Sequence, residues 1–393
     1  MLQDFIDRRI DLETLDDAPD PHGIVRRARG PLHALPDGRL LARDSEAGGH
    51  WVEGLPQAIH LTPAWSDFDR GGWALQAATV RPAARSGRLL ACCTRRRRDD
   101  LQRELPPERR WQVGPPGAGS LQDWTVLAPP QPAEAGAPAG LACWVEEDIV
   151  LLQPRPSPAK RLPASLRATR FSAQGALLDD RDVLPAGAPR KPPMHERAWM
   201  RPAGPDRTIA RLWGCYWLVD RDGVRTLAPP AGLASGDPGP PSAERDGRLW
   251  WVRCTPDGHQ AWLDELDLVR WRIGARVELT PLLRHSRTQG IPWMPAHGRA
   301  LALDDDWLVL DLHDGSPLQS TFLWLYSRQA QCAWSVTDSR LRDLPDSKLM
   351  TLPGTDRLLL SGHGHLWISH PLSALAAGLR AQPARGRALA LGE

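Results

Sequence analysis

Gly298-Arg299-Ala300-Leu301-Ala302-Leu303-Asp304-Asp305-Asp306-Trp307-Leu308-Val309-Leu310 holds two short apolar runs around an acidic tripeptide. Each run is too short for a helix, and the polar interval suits a tight connection. The stretch therefore reads as a β-hairpin. Its opening pattern is Gly or Asp, usually Arg, then three to five apolar residues. The pattern recurs as Gly38-Arg39-Leu40-Leu41-Ala42, Gly87-Arg88-Leu89-Leu90-Ala91 and Gly140-Leu141-Ala142-Cys143-Trp144-Val145. Further copies are Asp206-Arg207-Thr208-Ile209-Ala210, Gly247-Arg248-Leu249-Trp250-Trp251-Val252 and Asp356-Arg357-Leu358-Leu359-Leu360. The seven starts are about 53 residues apart on average.

A second apolar run follows most copies after roughly 9 to 15 residues: Trp51-Val52, Ile149 to Leu152, Tyr216 to Val219, Ala261 to Leu263, Trp307 to Leu310 and Leu366 to Ile368. Asp-Gly pairs at 37–38, 222–223, 246–247, 257–258 and 314–315 supply the positive φ angles of tight hairpin turns. Helical patterning is confined to Asp99–Leu105, ended by Pro106-Pro107, and Pro371–Arg380. Short strands in units of this length predict an all-β fold, a β-propeller of about seven four-stranded blades, with six or eight as neighbouring counts. Short helices are expected only in loops. The competing reading, two β-sandwich domains, has against it the even spacing and the lack of a linker-like midpoint. Residues 1–393 thus form one expected domain, with 1–30 and 384–393 as ring-closing segments. Gly386-Arg-Ala-Leu-Ala-Leu391 repeats the hexapeptide at Gly298 and reads as a terminal strand completing a blade begun by the N-terminal segment.

Composition fits this picture. There are 18 Trp against 4 Phe and 2 Tyr, and seven of the Trp fall on the recurring hairpins, where large flat side chains fill the wedge between twisted sheets. The 39 Pro and 34 Gly concentrate between copies of the pattern. Net charge is +2, which gives no long-range field for nucleic acid and argues against it as a partner, although a local patch is compatible with that balance. Cys92, Cys93, Cys143, Cys215, Cys254 and Cys332 include no CxxC; they read as small buried hydrophobes in a reducing compartment. Acidic residues interrupt the first ten positions before any secretory apolar run, and no 18-residue apolar stretch occurs. A cytoplasmic location without membrane contact is expected.

No motif for a catalytic serine, a phosphate loop, a zinc protease or a dinucleotide site is present, so no catalytic residue and no cofactor is assigned. Gly114-Pro-Pro-Gly-Ala-Gly-Ser120 lacks the lysine and helix of a phosphate loop. His363 and His365 share a strand face, which makes them candidate metal ligands, but the spacing supplies no third ligand. Asp304-Asp305-Asp306 and Glu146-Glu147-Asp148 read as solvated turns. Arg95-Arg96-Arg97-Arg98 is the one basic run. Placed between a strand and a short helix, it reads either as a projecting docking patch for an acidic partner or phosphate backbone, or as a solvated loop partly neutralised by Asp99 and Asp100.

Leu308 to Trp324, with Asp311, Asp314-Gly315 and the closing Trp, resembles a blade of the quinoprotein-like propellers, and Trp217-Leu-Val-Asp220-Arg-Asp222-Gly223 is a shorter echo. The Trp-Asp dipeptide of the WD40-like class is missing. In length, blade pattern and absence of catalytic motifs the chain resembles the propeller components of bacterial MoxR–von Willebrand A–β-propeller systems. That resemblance implies a non-catalytic scaffold or recognition subunit, with an AAA+ ATPase and a von Willebrand A protein as partners. The alternative is an enzyme or small-ligand binder with its site at the central channel mouth, where loops converge. Fold alone does not decide between them.

Overall fold

The computed structural model describes residues 5–11, 33–34, 40–44, 48–50, 73–75, 81–83, 85–98, 101, 103–116, 124–130, 140–155, 165–183, 198–204, 206–212, 214–233, 243–245, 247–255, 260–282, 297–302, 304, 306–313, 321–336, 348–351, 356–362, 365–381 and 389–390. The chain divides into two compact units, Arg26–Pro229 and Met1–Val25 with Pro230–Glu393.

The chain begins with β1 (Ile6–Asp11), which belongs to the second unit. The first unit opens with β2 (His33–Ala34), β3 (Leu40–Asp44) and β4 (Gly48–His50). Next come β5 (Trp73–Leu75), β6 (Arg81–Pro82), β7 (Leu89–Arg98), β8 (Glu104–Gly114) and β9 (Thr125–Val126). Two regular four-stranded meanders follow. One is β10 (Leu141–Val145), β11 (Asp148–Arg155), β12 (Ser165–Phe171) and β13 (Leu177–Val183). The other is β14 (Trp199–Pro202), β15 (Arg207–Leu212), β16 (Cys215–Asp220) and β17 (Gly223–Leu227).

In the second unit, β18 (Ala243–Arg245), β19 (Arg248–Cys254), β20 (Ala261–Asp267) and β21 (Arg272–Glu278) form one sheet. A second comprises β22 (His297–Ala302), β23 (Trp307–His313), β24 (Thr321–Ser327) and β25 (Cys332–Ser335). A third has β26 (Lys348–Thr351), β27 (Leu358–Gly362) and β28 (His365–Ser369), followed by helix α1 (Leu372–Ala381) and the short strand β29 (Leu389–Ala390). The described strands form seven antiparallel sheets, built mainly of sequence neighbours; β1 beside β28 and β29 beside β25 are the long-range pairings. Repeated sheets of this kind packed face to face are those of a β-propeller, as the hairpin period predicts.

All seven copies of the sequence pattern fall on strands, but not always on the same one. Gly140 and Gly298 introduce the first strands β10 and β22, whereas the other five introduce second strands. The two longest gaps, 140 to 206 and 298 to 356, run from a first strand to a second strand. The quoted hairpin is β22 with β23, and Leu301 lies opposite Val309.

The turns between third and fourth strands share a chemistry. A polar side chain near the end of the third strand accepts amide hydrogen bonds from the turn, and a residue three or four positions later takes a positive φ. Asp267 accepts from Val269 N (2.9 Å) and Arg270 N (2.8 Å), and Trp271 has φ 52°. Ser327 accepts from Ala330 N, and Gln331 has φ 49°. Such turns combine a side-chain cap with a left-handed residue, so the cap satisfies amides that the turn leaves outside the ladder.

Neighbouring sheets bury apolar faces against one another within each unit. Cys143, Val150, Leu152 and Leu166 pack on Met200, Ala210, Leu212, Trp217 and Val219. In the second unit Trp250, Leu263 and Leu279 pack on Leu308, Leu310, Trp324 and Tyr326. Trp307, Val309, Leu325 and Trp334 pack on Leu358, Leu360, Trp367, Phe5, Ile6 and the Leu372–Ala376–Leu379 stripe of α1. The described tryptophans of the hairpins are mostly interior. Trp217, Trp307, Trp250 and Trp367 are buried, while Trp144 and Trp262 are partly exposed; Trp51 lies outside the described residues. Cys92, Cys93 and Cys143 are buried free thiols, and burial pushes Cys92 and Cys143 up to about 12.

Three expectations are refined. The terminal segments go to different sheets: β1 adds to β28 as the outer strand of the last sheet, whereas β29 adds to β25. The helix over Pro371–Arg380 forms as α1; of that expected over Asp99–Leu105, Asp99, Asp100 and Gln102 lie outside the described residues. Its last two residues begin β8, because a residue preceding proline is driven out of the helical region. Pro106 and Pro107 cannot donate to a ladder, and they sit where the β7–β8 register slips between Arg95 and Arg97.

Candidate functional site

The acidic turns prove to be fasteners. Asp304 accepts amide hydrogen bonds from Asp306 (2.8 Å) and Trp307 (2.7 Å). Asp306 is buried and accepts from Ser327 Oγ and Gln329 N, tying β23 to the next turn. Glu147 accepts from Arg85 N (2.9 Å) and Ser86 N (3.3 Å). Burial works against its charge, but those bonds win and hold its carboxyl below the usual range. Asp148 pairs with Arg170.

Of the proposed metal ligands, His363 lies outside the described residues. His365 opens β28 opposite Gly362 and Asp11. Among the described residues no group of three or more His, Cys, Asp or Glu is placed to hold a metal ion. Arg95 to Arg98 end β7 rather than starting a loop. Arg95 lies opposite Glu108 and Arg98 opposite Glu104.

A site absent from the sequence reading lies in the first unit, between the sheets of β10–β13 and β14–β17. Its lining mixes apolar Val150, Ala168 and Val224 with Thr169, Gly223 and two pairs of opposite charge, Arg170 and Arg181 with Asp179 and Asp220. The enclosed space holds about one water-sized group, so the cleft suits a single polar head with the rest of a ligand outside.

Most of its charges are held firmly. Arg170 Nε donates to Asp148 Oδ2 (2.8 Å), and its Nη1 donates to the Arg221 carbonyl (2.7 Å) across the gap between sheets. Asp220 accepts from Asp222 N (3.0 Å) and Gly223 N (3.1 Å) and pairs with Arg225 at 3.0 Å. Beneath them Asp180 is clamped by Arg167 and by Thr169 Oγ1 (2.9 Å). Arg181 differs: its guanidinium is 49% exposed and stands 3.6 Å from Asp179, itself 53% exposed. One end of the guanidinium abuts Gly223, where an added Cβ would stand 2.0 Å from Arg181 Nη2 and 3.6 Å from Nη1. Gly223 has φ 139°, so glycine serves both the turn and the close approach. A half-exposed guanidinium with a carboxylate at 3.6 Å keeps donor N–H groups of the kind that hold carboxylates.

No pattern in the sequence marks this cleft. Asp222-Gly223 signals a turn, but its contact with Arg181 depends on how two sheets pack.

No family model and no curated protein matches the chain. Solved structures do. The β-propeller domain of the Trilobed protease from Pyrococcus furiosus is 9% identical, with 93% of this chain and 97% of that one covered, at a TM-score of 0.43. The Pyrococcus horikoshii acylaminoacyl peptidase is 12% identical, with 86% and 50% covered, at 0.44. The Dos1 propeller is 8% identical, with 86% and 87% covered, at 0.40. The chain spans about half the length of the acylaminoacyl peptidases it matches. At this identity the likeness shows the fold. The comparisons also correct the expectation of a non-catalytic scaffold, because propellers of peptidases are among those matched. The alternative, an enzyme or ligand binder, is the one carried forward. No helix among the described residues is long and apolar enough to cross a membrane.

Proposed function

We propose that the protein is a ligand-binding propeller that takes the carboxylate, or similar anionic head, of a small molecule at the cleft of Arg170 and Arg181. The observation that supports this is the contrast within the cleft. Arg170 and Asp220 are fixed by several short bonds, whereas Arg181 is half-exposed with one partner at 3.6 Å. A rigid frame with one adaptable guanidinium costs little to organise on binding. The cleft lies along the third and fourth strands of its sheets, which is where this reading departs from a site at a channel mouth. Free buried thiols among the described residues are in keeping with a cytoplasmic, reducing compartment.

The test is a thermal-shift titration with carboxylates of increasing size (acetate, glutamate, N-acetylated amino acids, short peptides), each beside its methyl ester. A bound carboxylate should raise Tm by a few degrees at about a hundredfold excess over Kd. Its ester should not, and Arg181→Ala should abolish the response. Silence across the panel, or an unaltered response in Arg181→Ala, overturns the reading. Mass analysis of each mixture distinguishes a binder from an enzyme.

A further inference from the structure

The β7–β8 hairpin outgrows its sheet. β5 pairs with β7 only at Cys93–Arg95, β6 only at Leu89–Leu90, and β9 reaches β8 only at Gln112–Val113. Among the described residues, 96–98 pair with nothing but Leu105 and Glu104. Among the described residues the distal part is therefore a two-stranded ribbon that pairs only with itself. Leu101 near its tip is 71% exposed, and Arg103 and Arg109 are exposed.

Its charge is unlike that of the chain. Between Arg95 and Arg110 there are seven arginines and four acidic residues, an excess of three, whereas the whole chain carries +2. The near-neutral average hides a basic arm. Two of its acids, Glu108 and Glu104, lie opposite Arg95 and Arg98 in the ladder, and Arg96 and Arg97 fall at the register slip. The ribbon contains no lysine, and guanidinium is the cation that meets phosphate with a two-pronged hydrogen bond.

We propose that this ribbon docks on the phosphate backbone of a nucleic acid. Successive residues of a strand point to opposite faces, so each face of the ribbon carries alternate arginines about 6.6 Å apart, and two faces of the arm bear positive charge. A two-stranded ribbon is also an element that a major groove, about 12 Å wide, admits. The arm contacts phosphate and reads no sequence. This proposal is independent of the carboxylate cleft, whose residues lie on other sheets.

Fluorescence anisotropy of the full chain against a labelled 20-base-pair duplex and a 20-nucleotide single-stranded RNA tests it. Binding should weaken with salt, log Kd against log salt having a slope of about 3 to 4 on the duplex. Replacing Arg95 to Arg98 by alanine should weaken binding at least tenfold and flatten the slope by about 3. Arg96→Glu with Arg97→Glu leaves both Arg–Glu ladder positions in place; it should lose binding while keeping the wild-type Tm, and it serves if the alanine variant does not fold. Preference for one oligonucleotide identifies which nucleic acid supplies the phosphates. Absence of salt-dependent binding, binding indifferent to these substitutions, or capture of poly-glutamate in place of both oligonucleotides overturns the proposal.

Discussion

Gly223 links a turn to a function. Gly223→Ala forces a Cβ onto a φ of 139° and into the Arg181 guanidinium. We expect a loss of about 1–2 kcal/mol in urea unfolding together with loss of any carboxylate response. Arg181→Ala should lose the response with little change in stability. Asp264 shows the opposite economy. It is fully buried, gripped by Arg253 and by Arg276 Nε at 2.7 Å, and Arg253 also lies over the Trp262 ring at 5.4 Å. Asp264→Asn should cost about 3 kcal/mol, because two guanidiniums then lack their counter-charge. Several turn carboxylates are held below their ordinary range: Asp267 by the Arg270 and Val269 amides, and Glu147 and Asp356 by hydrogen bonds that outweigh burial. A depressed carboxylate stabilises the fold above its unfolded pKa, and that contribution is lost as pH falls through the lower folded value. Urea midpoints should therefore hold from pH 7 to about 5 and decline below about 4. Asp267→Asn should remove part of that decline.

At the scale of the element, the hairpins were legible because their signals are local. A Gly-Arg start, an apolar run and an Asp-rich turn lie within about fifteen residues, and β22–β23 and β15–β16 form where they predict. The β7–β8 ribbon was misread for a local reason as well. Pro106-Pro107 looks like a helix stop, whereas in the fold it marks a bulge at a strand with a free edge. The cleft was not legible at all. Arg170, Arg181 and Gly223 come from three strands of two sheets, and no spacing along the chain encodes the register that joins them. Strand β1 offers a test of element-level packing. Phe5 and Ile6 are buried against Trp367, Leu360 and α1, so Phe5→Ala should destabilise by about 3–4 kcal/mol in urea unfolding.

For the molecule as a whole, the order of assembly follows from that same strand. Ile6 pairs with Ser369, 363 residues later, and Asp7 is held by Arg357 and His370. A contact of that separation is paid for late in folding, since loop closure precedes any gain. During synthesis the delay is literal. At about 5–20 residues per second, roughly 20–70 s pass between the emergence of Ile6 and that of its partner. Through that interval Phe5 and Ile6 wait for the strand they pair with, an apolar segment exposed to other nascent or folded chains until β28 emerges.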